Sequence, residues 1–92
     1  MKKSVMPEEV RKKISELEAE KKKLLGDVER WEAEKELEVA DRAIDGKLRG
    51  LSIELTTEFV RSAEKIYDDM IESARESISA IDKELAELQK SA

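Results

Sequence analysis

The stretch Asp45-Gly46-Lys47-Leu48-Arg49-Gly50-Leu51-Ser52 decides the fold, because it holds two of the three glycines of a 92-residue chain. Either glycine can supply a left-handed helix stop, and Ser52 offers a hydroxyl to cap a following helix. Outward from it, toward the N-terminus, every residue back to Glu8 tolerates a helix, with Gly26 the one weak point. Pro7, the lone proline, precedes Glu8 and Glu9, so it is expected at the first helical position with two acids facing the positive end of the helix dipole. Toward the C-terminus, residues 52–90 contain neither Gly nor Pro. The expectation is an all-α, antiparallel two-helix hairpin, with long helices at about 7–45 and 52–90, a turn at 46–51 and a flexible N-terminus at 1–6. At about 1.5 Å per residue each helix is about 55–60 Å long. The whole chain, 1–92, reads as a single domain.

Composition excludes many functions. There is no His and no Cys, and charged residues make up 45% of the chain against 39% hydrophobic ones. Disulfide frameworks, zinc fingers and thiol or imidazole catalysis are therefore ruled out. Heavy use of Glu and Lys with no Asn, no Cys and one Gln is a bias of proteins from hot environments. The start of the chain lacks the apolar run of a signal peptide, and no stretch approaches the roughly 20 apolar residues of a membrane span. A cytoplasmic location is expected, with no membrane association. No cofactor is expected, and the net charge of −5 argues against nucleic acid as a bulk electrostatic partner.

The second helix carries a clean heptad seam. Thr56, Val60, Ala63, Tyr67, Met70, Ala74, Ile78, Ile81, Leu85 and Leu88 follow one another at three- and four-residue steps, with a stutter at Met70-Ala74-Ile78. Phe59, Ile66 and Ile71 widen that stripe near the turn, as suits a helix with more than one neighbour. In the first helix Val10, Ile14, Leu17, Leu24, Leu25, Val28 and Trp31 share one face, whereas Ala33, Leu37, Ala40, Ile44, Leu48 and Leu51 share another. One glycine inside a helix costs only about 1 kcal/mol, so a continuous helix is expected through Gly26.

Two helices alone bury too little to offset the entropy of ordering a chain of this length. The widened stripe and the shifted face both lie in the turn-proximal half. That half is expected to pack against a second copy, in a dimeric four-helix bundle or coiled coil, or against a helical protein partner. The residues expected at this interface are Leu37, Ile44, Leu48, Leu51, Phe59, Ile66, Met70 and Ile71. The half bearing the termini is expected to be thinner. If Phe59 is buried, its replacement by Ala costs roughly 3–5 kcal/mol.

Charge is unevenly placed. Residues 1–25 carry eight Lys/Arg against five acids, and residues 51–92 carry five against ten. In an antiparallel hairpin the basic start lies beside Glu76, Asp82, Glu84 and Glu87, which helps fix register. The clusters Arg11-Lys12-Lys13 and Lys21-Lys22-Lys23 could meet phosphates, with Arg11, Lys12 and Lys22 as the candidate anion contacts. No interleaved aromatic accompanies them, so a solvated, acid-paired face is the favoured reading. Carboxylates at helical spacing, Glu16/Glu20, Glu32/Glu36 and Asp68/Glu72, lack the His of helical di-metal sites, and no metal site is expected.

The expected function is a non-catalytic assembly or adaptor module. The competing reading is a small helical enzyme. Val10-Arg11-Lys12-Lys13-Ile14-Ser15-Glu16-Leu17-Glu18 looks like the first-helix start of the small helical chorismate mutases, and Ile66-Tyr67-Asp68-Asp69-Met70-Ile71-Glu72 is similar to their last helix. That resemblance implies a dimeric active site to which Arg11 contributes. It departs from the family at Val28 and Val39, where a second Arg and a Lys would stand, and at Ile78, where a Gln would fall.

Overall fold

The structure, a computed structural model, describes residues 7–91; the expected flexible start at 1–6 lies outside them. It is an all-α antiparallel hairpin extending over 64 Å, with its two helices in contact along their length. Helix α1 spans Glu8–Leu48 and α2 spans Ile53–Ser91.

Pro7 sits one position earlier than expected, as the residue that caps α1, with φ −54° and ψ 145°. Its carbonyl still starts the helical ladder, accepting from the N–H groups of Val10 and Arg11 at 3.1 Å each. Glu8 and Glu9 occupy the first turn, where the helix dipole favours them. The helix runs unbroken through Gly26, as expected: its position is exposed and nothing lies within 4 Å of where a Cβ would be.

The two turn glycines do different work. Gly50 adopts φ 71° and ends α1. Its N–H donates to the Lys47 carbonyl at 3.1 Å, and the Leu51 N–H donates to the Gly46 carbonyl at 2.9 Å. These two bonds make a Schellman motif, which satisfies carbonyls the helix end would otherwise leave open. Gly46 lies inside the helix and is buried. A Cβ there would stand 2.7 Å from Thr56 Oγ1 and 2.8 Å from its Cγ2. Gly46 thus lets the two backbones approach. That is why α1 continues to Leu48 and the turn shortens from the expected 46–51 to the four residues 49–52. Ser52 then caps α2, its Oγ accepting from the Leu55 N–H at 3.1 Å.

Apart from Ala63, which is buried on the seam nearer the turn, the buried apolar side chains form two clusters. Leu17, Ile81 and Leu85 make one, with Ile14, Leu24 and Leu88 packed around it. Val28, Ile71 and Ala74 make the other, beside Leu24, Trp31 and Ile78. Both lie away from the turn. The half expected to be thinner therefore holds the hairpin's own apolar core, because only there do the large apolar residues of α1 fall on the seam. The burial of Ile71 also moves the α2 stutter toward the turn, to Ala63-Tyr67-Ile71.

Candidate interaction surface

Helix α1 presents an unbroken heptad seam to α2. Val10, Ile14, Leu17, Lys21, Leu24, Val28, Trp31, Lys35, Glu38, Arg42 and Asp45 follow at alternating steps of four and three, and each is buried or half-buried. The chemistry of the seam changes along it. Up to Trp31 it is mostly apolar, and from Lys35 onward it is charged.

Ion pairs cross between the helices along the rod. Lys13 reaches Glu84 at 3.7 Å, Lys21 reaches Asp82 at 2.7 Å, Arg75 meets Glu32 at 3.2 Å and Lys35 meets Asp68 at 2.6 Å. The first two realise the expected complementarity between the basic start of α1 and the acidic end of α2. The hydrogen bond to Asp68 holds the Lys35 ammonium above its ordinary pKa of 10.5. Burial opposes this, and the negative fields of Asp68, Glu64 and Glu32 reinforce it.

Nearer the turn the seam depends on one arginine. The Arg42 guanidinium lies over the Phe59 ring, 4.7 Å from its centroid, while its Nη1 donates to the Phe59 carbonyl at 2.9 Å. Its Nε donates to Glu38 Oε1 at 3.0 Å, within the same helix. The apolar stem and planar head of this Arg do what a leucine would do in the other half, filling the space between the helices.

Because charged residues fill the α1 seam, the large aliphatic residues of α1 in this half face outward. Leu37 is 67% exposed and Leu48 80%, and Ile44, Leu51, Ile53, Leu55 and Ile66 are exposed with them. Ile44 and Leu48 share one side of the hairpin with Phe59, around a shallow hollow that also takes in Asp41, Arg42 and Asp45. A second hollow continues past Phe59 to Leu51, Leu55 and Ser62. Of the residues expected at an interface, Leu37, Ile44, Leu48, Leu51, Phe59 and Ile66 thus lie on the outward side of the turn-proximal half. Met70 is half-buried beside the seam. Ile71 is 7% exposed and packs inside the hairpin against Val28 and Ala74. Ile53 and Leu55 belong to the exposed set and follow directly on the turn, where the apolar run Leu51-Ser-Ile-Glu-Leu55 was their signal.

Arg11, Lys12 and Lys22 are exposed along α1, Lys12 and Lys22 about 15 Å apart along its axis, while their neighbours Lys13 and Lys21 are held by Glu84 and Asp82. Arg11, in the first turn of α1, stands at the far end of the rod from the turn. The carboxylates Glu32 and Asp68 are committed to Arg75 and Lys35, and among the described residues no group of three acidic residues is placed to hold a metal ion. No helix among the described residues is long and apolar enough to cross a membrane.

Comparison of the chain with protein-family models, with curated proteins and with solved structures finds no match to any of them.

Proposed function

We propose that this protein is a non-catalytic helical-hairpin assembly module that works by self-association through the turn-proximal half. The observation that carries this reading is the exchange of roles along α1: where the seam turns charged, at Lys35 to Asp45, large apolar side chains stand exposed on the outer side. Contiguous exposed apolar surface of this kind marks an association site. The accessible surface supports the reading. It is 7048 Å², against about 5,400 Å² for a compact monomer of the same mass. The excess is about twice the roughly 800 Å² that each partner contributes to a standard protein interface, so one chain has ample surface to give up to a second copy.

The test is absolute mass by light scattering over a concentration series at moderate salt. The chain is 10.5 kDa, and a stable mass at twice that value is the expected result. A mass that stays at that of one chain up to high concentration overturns self-association.

A further inference from the structure

We propose that the second copy is related to the first by a two-fold axis running along the rod, so that both turns lie at the same end and α1 of each copy packs on α2 of the other. This rests on the self-association reading and adds its geometry.

Contacts inside the hairpin fix which residues stand level. Lys35 meets Asp68, Arg42 meets the Phe59 carbonyl and Gly46 meets Thr56. Counting from these, Leu37 is level with Ile66, Ile44 is within about one residue of Phe59, and Leu48 is within about one residue of Leu55, one residue being about 1.5 Å. A two-fold along the rod preserves level. It therefore brings Leu37, Ile44 and Leu48 of α1 to within about a residue of the level of Ile66, Phe59 and Leu55 of the other copy's α2, in an all-antiparallel four-helix arrangement.

Charge chooses between this and a two-fold across the rod. Along this stretch of α1, Glu34, Glu38 and Asp45 each have an arginine one turn away, Arg30, Arg42 and Arg49. Asp41, in the middle of the apolar residues, has no such cation among the described residues. A two-fold across the rod, centred on this half, packs α1 on α1 and brings the two Asp41 carboxylates within a turn of each other amid apolar side chains. Like charges so placed oppose association. A two-fold along the rod instead puts Asp41 within about two residues of the level of Ser62 of the other copy, whose hydroxyl donates to the Glu58 carbonyl in the single chain and can turn to the carboxylate. It also brings Lys47 within about a turn of Glu58 across the interface; neither forms an ion pair within the chain among the described residues.

The chain has no cysteine, so single-cysteine variants report the geometry directly. Leu37→Cys, Leu48→Cys and Leu55→Cys alter exposed positions, which leaves the hairpin core intact. Chains are mixed pairwise and oxidised, and the cross-linked products are resolved by mass, with light scattering on the unoxidised mixtures. A disulfide needs its Cα atoms within about 7 Å. The expected result is a dimer in which Leu48→Cys chains cross-link chiefly to Leu55→Cys chains. A dimer that instead links Leu48→Cys to Leu37→Cys overturns the orientation and leaves self-association standing. So does a dimer that gives no link between positions 48 and 55. A monomeric mass overturns both.

Discussion

The Arg42 guanidinium covers the Phe59 ring and bonds to the carbonyl of the same residue, so a single cation anchors two helices both by its face and by its edge. The pairing is what allows a hairpin with no large apolar side chain of α1 on the seam near its turn to stay closed there. Replacing Arg42 by Met keeps the stem and removes both contacts. The expected loss is about 1–2 kcal/mol, since a hydrogen bond from a charged donor and a half-exposed cation–π contact are each modest. Arg42→Lys should recover only part of it, lacking the planar fork. Urea unfolding at one fixed chain concentration measures both.

Glycines 26 and 46 should respond in opposite ways to the same substitution. Gly26→Ala meets nothing, so it should stabilise the chain by about 0.8–1 kcal/mol through helix propensity alone. Gly46→Ala gains the same propensity but drives its methyl into Thr56, and a net loss is expected. In a Thr56→Ala background the clash disappears and Gly46→Ala should become stabilising. A thermal or urea double-mutant cycle checks the change of sign.

Gly50 has a different constraint. Its φ of 71° is strained for any residue with a Cβ, so Gly50→Ala should cost about 1–2 kcal/mol. Circular dichroism melts should show a lower midpoint with unchanged helix content.

The Lys35–Asp68 pair gives a pH dependence of definite sign. The folded-state pKa of Lys35 is raised above its ordinary 10.5. Its contribution to stability is therefore fully present below the unfolded-state value and is lost as pH rises through the folded one. Stability should fall on the alkaline side above about pH 10, and Lys35→Met should flatten that limb. A set of urea midpoints from pH 8 to 11.5 decides it.

Phe59 separates the hairpin from its assembly. In one chain it is only half-buried, so Phe59→Ala should cost about 1–2 kcal/mol at concentrations where the chain is alone. Where copies associate, the ring is fully covered and the cost should rise to the 3–5 kcal/mol of a buried aromatic. Equal costs at both concentrations would place Phe59 outside the interface.

Much of this architecture was legible before any coordinates. Proline 7 and glycines 46 and 50 bracket the helices, Ser52 caps the second, and the α2 seam follows from apolar spacing because nearly all its members are apolar. The α1 seam was not legible in the same way. Lys35, Glu38, Arg42 and Asp45 occupy seam positions, and a reading that follows apolar residues passes to Leu37, Ile44 and Leu48 on the opposite face. That reading still located the outward apolar residues. It misplaced Ile71, which looked like a flank of the stripe and is part of the core. The role of Gly46 depends on Thr56 standing across from it, a fact of three-dimensional register that no local pattern carries.

The rod is one pair of side chains thick at every level, and this shapes how it comes apart. Each layer touches only the layers above and below, so the chain behaves as a ladder whose rungs differ in strength. Apolar rungs hold the end that carries the termini, and charged rungs hold the end that carries the turn. Opening should therefore begin at the turn in a lone chain, fraying first where covalent connection is closest, the reverse of an ordinary hairpin. A second copy laid over those weak rungs would strengthen them most, so that assembly and closure of the turn become one event.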